Sequence, residues 1–599
     1  MDNLTVCREA LYLGAPSRPL LACFHSAAAA VSHDCVAVIC NPIGYEYVHS
    51  HRTMRHLADG LARAGVPALR FDYDGTGDSP GTDLDPDRLS RWGEDIDTAI
   101  MAARRLSGRT SVCLIGLRLG ATLAAMVSAR TPVDYLVLWS PCVSGRRYVR
   151  EMQALAQVAG QNDKPSLGAV EAAGFLLSEE TQQQLKNIGV FEQLARVSKR
   201  ALVLTRDDMH EEQHVGEHLR RLGIETDTLN FSGYADMMAE PQNTVVPRAA
   251  LDEIVGWLVL HAPASTPVSP LPPSGPSEMQ FDFIGIDGQT SSLSEAVCRF
   301  GDAGYLFGIH CQALGEQSRR PTVVLFNSGV VHRVGPNRLY VELARNLAAC
   351  GFATFRCDIE GVGDSVLRGP GRENHPYPTT ADRDAGVVLR FLTERFSTQS
   401  FVLMGLCSGA YTSFTAGLRD DAMPISELVL LNPLTFHWEE GDSLATQQFG
   451  AIAHYKGSMR SRSSWKKLLR GQVNLVNLAG VAWSYLCTQA GSHINTLAER
   501  WVPSMGPPLS RQLRQLFGQN RRVSMFIASG DPGWDMLVSK ARHAVGKALE
   551  RDNLSVQFIR DSDHTFSNQD GRLRLVAAVR DHLLKRYPAS ASDSTQRRG

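Results

Sequence analysis

The chain has 599 residues, which is too many for a single hydrophobic core and predicts two or more domains. Its 61 Lys and Arg residues nearly balance its 62 Asp and Glu residues, so the formal net charge of −1 excludes bulk attraction to nucleic acid. The 12 cysteines lack paired or metal-type spacing, as is typical of a reducing compartment. We find neither a leader pattern at the first residues nor an uninterrupted apolar run of membrane-spanning length, and therefore expect a cytoplasmic protein.

Residues 1–260 alternate short apolar runs with helical patterns, which predicts an α/β domain with a mostly parallel sheet covered by helices on both faces. The predicted strands include 36–40, 68–72, 111–115, 135–139 and 201–205. A helical cap insertion is predicted at about 143–200. Residues 261–280 are rich in Pro, Ser and Gly without apolar periodicity, which predicts an extended linker between two domains.

An internal repeat defines the second half of the chain. Residues 9–79 match residues 295–365 at a constant offset of 286 without a gap, and the turn Asp-x-x-Gly-x-Gly-Asp-Ser occurs at both 72–79 and 358–365. Agreement of this length predicts that residues 281–587 repeat the fold of the first domain. The corresponding strands are 322–326, 353–357, 401–404, 427–431 and 523–528, and residues 588–599 are predicted to be a disordered tail.

The sequence Gly405-Leu406-Cys407-Ser408-Gly409 stands between an apolar strand and a helix-forming segment. This pattern is typical of the nucleophile elbow of α/β-hydrolases, in which small flanking residues allow a sharp turn. The two glycines place Cys407, and not Ser408, at the apex of the turn. Cys407 is therefore the candidate nucleophile, and the alternative is a small buried cysteine without a chemical role.

The partners of such a nucleophile follow it along the chain in the order acid, then histidine. Asp531 stands at the end of the predicted strand 523–528, and His564 follows the predicted strand 556–559. We predict that Asp531 orients the imidazole and that His564 moves the proton. Asp535 is the alternative acid.

Two backbone N–H groups are needed to hold a developing oxyanion. The fold pattern predicts them at Ser408, which follows the nucleophile, and at Gly329 or Val330, in the loop after the first repeated strand of the second domain. A helix N-terminus near the sulfur favours the thiolate form of Cys407.

The first copy keeps the shape of the elbow but not the nucleophile. Its elbow, residues 116–121, carries Arg118 at the apex, and a guanidinium stays protonated and cannot attack a carbonyl. Asp207 or Asp208 would be its acid, and Asp236 stands where the second copy has His564. We predict a non-catalytic partner domain; the alternative for Arg118 is binding of an anionic substrate group, whereas a buried ion pair is the commoner use of such a residue.

No cofactor or metal is expected. The cluster His49, His51 and His56 lies near a predicted loop-to-helix junction without a nearby cysteine, so solvent-facing histidines explain it better than a metal site.

A second cap is predicted at about 437–522. It carries eleven Lys and Arg against four Asp and Glu, and such a positive field favours an anionic acyl substrate, small or carried on phosphopantetheine, or a charged glycan. Solvated helix faces are the alternative. Residues 475–486 are apolar enough to pack on the core or to make peripheral contact with a membrane surface, but not to span one. The sequence does not indicate an oligomeric state.

The first elbow, Gly-Leu-Arg-Leu-Gly-Ala at 116–121, and the segment Asp-His-Thr-Phe at 563–566 resemble the exosortase A-associated α/β-hydrolases of bacterial exopolysaccharide systems. In that group both Cys and Arg elbows occur, so the chain looks like two such units fused in tandem. The Cys elbow is also similar to those of dienelactone hydrolases and polyhydroxyalkanoate synthases. The resemblance implies acyl chemistry but does not separate hydrolysis from transfer.

Three hypotheses follow. The first is a hydrolase of acyl esters or thioesters that acts through Cys407, Asp531 and His564. The second is an acyltransferase that passes an acyl thioester on Cys407 to an acceptor in polysaccharide or secondary-metabolite biosynthesis. The third is a non-catalytic scaffold made of two hydrolase folds.

Overall fold

The structure is a computed structural model that describes residues 6–27, 31–158, 168–189, 191, 198–206, 208–266, 275–315, 320–419, 423–439 and 507–588. The chain divides into two compact units. The first comprises Met1–Arg299, Gly308–Gly315 and Val334–Ala349. The second comprises Phe300–Phe307, Glu316–Arg333 and Cys350–Gly599. Short segments that follow the linker therefore belong to the first unit, while the domain boundaries at 260 and 281 remain a prediction.

Eleven of the described strands precede residue 260. They are β1 (Val6–Leu13), β2 (Leu20–Ala27), β3 (Ser32–His33), β4 (Cys35–Cys40), β5 (Ala68–Phe71), β6 (Ser111–Leu117), β7 (Tyr135–Trp139), β8 (Val170–Ala172), β9 (Phe175–Leu177), β10 (Arg200–Arg206) and β11 (Glu225–Phe231). Eight of them form one sheet in the order β1-β2-β5-β4-β6-β7-β10-β11. Strands β1 and β2 pair antiparallel, β2 is antiparallel to β5, and the remaining pairs are parallel.

Helices cover both faces of this sheet. They are α1 (Tyr45–Arg63), α2 (Arg88–Ser107), α3 (Leu119–Ser128), α4 (Gly145–Val158), α5 (Glu179–Lys186), α6 (His210–Arg221), α7 (Tyr234–Met237) and α8 (Arg248–His261). Side chains of β4 alternate between the two layers: Val36 and Val38 pack with α2 and α3, whereas Ala37 and Ile39 pack with α1 and α8. This alternation explains why the strand is apolar throughout, because both of its faces are buried.

Ten described strands follow residue 260. They are β12 (Ala264–Ser265), β13 (Glu278–Ile284), β14 (Thr290–Phe300), β15 (Leu306–Ala313), β16 (Thr322–Phe326), β17 (Thr354–Asp358), β18 (Phe401–Leu406), β19 (Ile425–Leu431), β20 (Arg522–Ala528) and β21 (Leu554–Ile559). Nine form a sheet in the order β13-β14-β15-β17-β16-β18-β19-β20-β21, and β12 pairs with β3. From β17 to β21 the pairs are parallel.

The described helices of this half are α9 (Leu339–Ala349), α10 (Ala381–Phe396), α11 (Ser408–Gly417), α12 (Pro508–Gly518), α13 (Gly533–Glu550) and α14 (Gln569–Arg586). Helix α11 begins directly after β18 and packs on β18 and β19. The C-terminal ends of the parallel strands therefore meet at one edge of the sheet, where the loops that carry Cys407, Asp531 and His564 begin.

The repeated turn has the same hydrogen bonds in both halves. Asp72 Oδ2 accepts from the N–H of Asp78 at 2.9 Å, and Asp358 Oδ2 accepts from the N–H of Asp364 at 3.0 Å. The glycine between them, Gly363 in the second copy, has a φ of 56°, and a Cβ there would collide with the Asp358 carboxylate. Only glycine fits this close approach, which explains why the motif recurs intact.

The predicted fold class is confirmed: both halves form a large, mostly parallel sheet flanked by helices. The predicted strands occur within two residues of their expected ends. Between β7 and β10 lie α4, α5 and a short hairpin of β8 and β9, at the place of the first predicted cap. Most of the second predicted cap, residues 440–506, and the tail from 589 lie outside the described residues, as does the apolar segment 475–486.

Candidate active site

Cys407 lies at the sharp turn between β18 and α11. Its backbone has a φ of 57° and a ψ of −113°, a conformation that is strained for a residue with a side chain. A Cβ on Gly405 would collide with the backbone of Gly409, and a Cβ on Gly409 would collide with the carbonyl oxygen of Phe326. The glycines at these two positions therefore let helix and strand approach closely. Cys407 itself is partly exposed at the apex.

The loops after β20 and β21 bring Asp531 and His564 together. His564 Nδ1 lies 2.6 Å from Asp531 Oδ2, and the other carboxylate oxygen accepts the N–H of Gly533 at 3.1 Å. The Asp531 side chain is only 2% exposed, whereas that of His564 is 32% exposed. Because Nδ1 donates to the carboxylate, the second nitrogen, Nε2, is the one that can exchange a proton with a reacting group.

The environment of His564 favours the imidazolium. Burial alone would lower the pKa of His564, but the hydrogen bond with Asp531, the interaction with the Cys407 thiol group and the charges of both groups outweigh it and raise the pKa to about 10. Nε2 is buried and makes no hydrogen bond of ordinary geometry with any described residue. A negatively charged sulfur beside it would complete an ion pair.

Asn432 fixes the relative positions of these loops. It lies at the end of β19 with a φ of 39°, its Nδ2 donates to the carbonyl oxygen of His564 at 2.8 Å, and its Oδ1 accepts the N–H of Ala528 at 2.7 Å. One amide therefore connects the last residue of β20 with the loop that carries the imidazole. The only signal for it in the sequence is an Asn at the end of a predicted strand, and sequence reasoning missed its role.

The predicted oxyanion donors lie on two adjacent segments. Ser408 is the first residue of α11, so its N–H has no partner within the helix. Its Oγ is 3.3 Å from the carbonyl oxygen of Gly329, which brings the loop after β16 against the elbow. Gly329 has a φ of 58°, and Val330 next to it is buried. Two backbone segments with these properties are the usual components of an oxyanion hole.

A buried network of ion pairs and hydrogen bonds connects the loop after β16 to the repeated turn. The Arg333 guanidinium lies 3.0 Å from Asp358 and 2.9 Å from Asp364, and Asn327 donates to Asp358 at 3.0 Å. Asp358 and Asp364 belong to the repeated turn, whereas Asn327 and Arg333 lie in the loop after β16. The turn therefore supports the backbone that carries Gly329.

Tyr377 lies beside the nucleophile, and no sequence motif indicated it. Its hydroxyl oxygen is 3.8 Å from the Cys407 Sγ. The ring stacks on Trp438 with centroids 4.3 Å apart and meets Tyr411 edge-on at 5.4 Å. The alternative acid Asp535, in contrast, is exposed in the first turn of α13. The structure thus brings Asp531, and not Asp535, into hydrogen-bonding distance of His564.

In the first copy the corresponding apex is occupied by an ion pair. The Arg118 Nε lies 2.7 Å from Glu46, its Nη2 lies 2.7 Å from Glu151, and its guanidinium is 5.8 Å from the centroid of the Tyr234 ring. Burial alone would lower the pKa of Arg118, but the acidic groups around it raise the pKa above its ordinary value. Two carboxylates already neutralise this guanidinium, so an anionic substrate would have to displace one of them.

The described residues at the acid and histidine positions of the first copy do not form a catalytic pair either. Asp208 pairs with Arg206 at 2.6 Å, Asp236 is exposed, and Asp207 lies outside the described residues. The first copy also contains a cleft that is partly open to solvent. It is lined by aromatic side chains such as Tyr45, Trp92 and Tyr148, and Arg118 is not part of its lining.

His49 and His51 do not face solvent as expected. His51 is buried and its Nε2 lies 3.4 Å from the Arg70 guanidinium, and the His49 Nδ1 lies 2.9 Å from the carbonyl oxygen of Met238. Packing against the neighbouring strand and helix explains the difference. In the described part of the chain, no three His, Cys, Asp or Glu side chains are arranged to hold a metal ion. Across those same ranges, no helix combines the length and apolar character needed to cross a membrane.

The chain is similar to several solved structures of esterases. The ferulic acid complex of Est1E from Butyrivibrio proteoclasticus shares 16% identity over 42% of this chain and 97% of that chain, with a TM-score of 0.31. An esterase from Rhizomucor miehei shares 15% over 43% and 84%, with a TM-score of 0.30. The Pyrococcus furiosus esterase Pf2001 shares 13% over 43% and 90%, with a TM-score of 0.31. The comparison with curated proteins found no match.

A family model described as serine aminopeptidase, S33, matches residues 46–236 and 319–468. The two segments lie one in each repeat and contain both elbows, although this chain has Arg118 and Cys407 at the apices, and Asp531 and His564 lie beyond the second segment. Because the matched residues make up more than half of the chain, it belongs to the serine aminopeptidase S33 family and is an enzyme of the α/β-hydrolase superfamily.

Proposed function

We propose that the chain hydrolyses acyl esters or thioesters through a covalent intermediate on Cys407. The observation that carries this proposal is the 2.6 Å hydrogen bond between His564 and Asp531 beside a strained elbow whose apex is a partly exposed cysteine. The chemistry of the three groups is complementary, because a thiolate needs a nearby cation and a proton carrier.

The reaction begins with the sulfur as a thiolate paired with the His564 imidazolium, a state favoured by the raised pKa of His564. The sulfur attacks the acyl carbon, and the carbonyl oxygen takes the negative charge beside the N–H groups of Ser408 and of Gly329 or Val330. The imidazolium then protonates the leaving group. As a neutral imidazole, His564 afterwards takes a proton from water, which attacks the thioester.

The acyl group is proposed on chemical grounds only. The resemblance of the first elbow and of residues 563–566 to exosortase A-associated hydrolases favours acyl chemistry connected with a bacterial polysaccharide. The basic composition of residues 437–522 favours an anionic substrate. The same thioester could pass its acyl group to an alcohol or amine if water is excluded, so an acyltransferase is the alternative.

The test is intact-mass measurement after incubation with a panel of thioesters and activated esters. We expect an adduct of one acyl group on the wild-type chain that mild hydroxylamine releases, as it does a thioester, little or no adduct in Cys407→Ser, and slower formation in His564→Ala. Product analysis with and without an added alcohol or amine separates hydrolysis from transfer. A wild-type chain that never acquires an acyl group from any member of the panel would overturn the proposal.

A further inference from the structure

Tyr377 is held against the nucleophile by packing that no catalytic motif requires. The residue is 2% exposed, and its ring lies between Trp438, stacked at an interplanar angle of 17°, and Tyr411, at an interplanar angle of 74°. These two contacts fix both torsion angles of the side chain. The hydroxyl oxygen consequently remains 3.8 Å from Sγ, which is within hydrogen-bonding distance for sulfur.

The direction of this hydrogen bond follows from the protonation states. Burial raises the pKa of Tyr377, and the charge of the Cys407 sulfur raises the pKa further, so the phenol keeps its proton at neutral pH. The thiolate has no proton to give. With an ionised sulfur, Tyr377 can therefore only donate.

We propose that Tyr377 is a further catalytic residue, whose hydroxyl donates a hydrogen bond to the Cys407 sulfur and assists the departure of that sulfur from the acyl intermediate. This inference rests on the proposed function, since it concerns a step of the same reaction. Tyr377 thereby stabilises the Cys407 sulfur as the leaving group in deacylation, the second half of the cycle.

Water attacks the thioester carbon while His564 Nε2 takes one of its protons, and the former carbonyl oxygen becomes an oxyanion. When the carbonyl re-forms, the bond between carbon and sulfur breaks and its electron pair remains on Sγ. The products are a carboxylic acid and a thiolate that faces the imidazolium and the Tyr377 hydroxyl, which has kept its proton throughout.

The two half-reactions respond differently to this hydrogen bond. In acylation the donor stabilises the thiolate ground state, which populates the nucleophile but makes it less reactive. In deacylation the donor acts only as negative charge returns to sulfur, so it stabilises the transition state more than the thioester. Loss of the hydroxyl should therefore slow deacylation much more than acylation. A residue that merely supported the fold would slow both.

The experiment compares Tyr377→Phe with wild type on a 4-nitrophenyl ester. We expect the acyl adduct, followed by quenching and intact mass, to persist about 10- to 100-fold longer, as expected for loss of a hydrogen bond to a charged group. Both kcat and KM should fall, while the initial burst of 4-nitrophenol keeps its rate within about threefold. An unchanged adduct lifetime, or equal slowing of burst and turnover, would overturn the inference.

Tyr587→Phe is the matched control. Its hydroxyl also donates a hydrogen bond, to Glu427 at 3.0 Å, but Glu427 lies near the start of β19, at the opposite end of the strand from the elbow. We expect this variant to keep the wild-type adduct lifetime. A lifetime prolonged as much as in Tyr377→Phe would assign the effect to general loss of packing and overturn the inference.

A second readout does not depend on turnover. The rate of alkylation by iodoacetamide as a function of pH should have its midpoint moved upward in Tyr377→Phe, and moved downward when 3-fluorotyrosine, a stronger donor, replaces Tyr377. If the wild type forms no adduct, the proposed function fails, and this profile still decides whether the hydroxyl stabilises the thiolate. Coincident profiles for all three proteins would overturn the inference.

Discussion

The two elbows of the chain share a backbone and differ in the side chain at the apex. Arg118 has a φ of 54° and a ψ of −121°, and Cys407 has a φ of 57° and a ψ of −113°. Each apex donates its N–H to the end of the next strand, to Trp139 at 2.9 Å and to Leu431 at 3.0 Å. A strained turn of this kind costs roughly 1–3 kcal/mol, and the first copy retains it without a nucleophile.

The difference shows that the turn is maintained by packing, whereas reactivity depends on the side chain and its neighbours. Arg118 is closed in by Glu46 and Glu151, which leaves no free position for a substrate group. Cys407 is partly exposed, with Tyr377 on one side. Among the described residues, the loops that follow the next strands complete the contrast. Asp531 and His564 form a hydrogen-bonded pair in the second copy, whereas Asp208 of the first copy pairs with Arg206.

The largest expected effect is the loss of activity in Cys407→Ala. Removal of the sulfur leaves only binding and the oxyanion donors, so hydrolysis of an activated ester should fall by about 10⁴-fold or more. Cys350→Ala is the control, because Cys350 is also partly exposed but lies outside the elbow. Full activity in Cys407→Ala would remove the chemical distinction between the two elbows.

Asp531→Asn should have the next largest effect. The amide cannot hold the imidazole in the required tautomer, so kcat should fall by about 10²- to 10⁴-fold. Asp535 is an exposed carboxylate four residues after Asp531, so Asp535→Asn should change kcat less than about twofold. The same change at Asp208 of the first copy should also leave kcat unaffected. Equal losses at positions 531 and 535 would contradict the assignment of the acid.

Arg118→Met should affect stability and not chemistry. It leaves the fully buried Glu46 carboxylate without its cation, and breaking a buried ion pair in this way typically costs about 3–5 kcal/mol. Urea unfolding followed by tryptophan fluorescence measures the loss. Glu151→Gln removes the partly exposed partner and should cost about 1 kcal/mol or less. If acylation of Cys407 falls in Arg118→Met while the fold persists, the first elbow contributes to the reaction.

The sequence predicted the sheet and the elbow because both depend on local patterns. Apolar runs of strand length with turn residues on either side specified β4 and β18, and two glycines specified which residue occupies the apex. The order of acid and histidine along the chain then singled out Asp531 and His564. The ungapped repeat added the second copy of the repeated turn.

The residues that the sequence did not indicate are placed by tertiary packing. Tyr377 comes from the long loop between β17 and α10, where no periodicity or motif fixes a side chain, and its position depends on Trp438, which is 61 residues away in sequence. Arg118 finds its partner Glu46 at a separation of 72 residues. Such pairs follow from the complete fold and not from a pattern within one segment.

The last expected effect concerns stability as a function of pH. In the folded state the pKa of His564 is raised to about 10, above the ordinary value near 6.5. The imidazolium therefore stabilises the fold fully below about pH 6.5, and this contribution is lost as the pH rises through about 10. The wild type should have a larger free energy of unfolding than His564→Gln at about pH 6.5. This difference should shrink as the pH rises to about 10.

Asp236→Asn at the corresponding place in the first copy is the control, because an exposed side chain there should change stability by less than about 0.5 kcal/mol at any pH. Parallel urea titrations at pH 6, 8 and 10 make the comparison. If the difference in free energy of unfolding between wild type and His564→Gln grew with pH, the folded protein would prefer a neutral imidazole. The proton for the leaving group would then have to come from another donor. The Cys407 thiolate would also lack the His564 imidazolium as its counter-ion, a need that the first elbow does not have because its apex is Arg118.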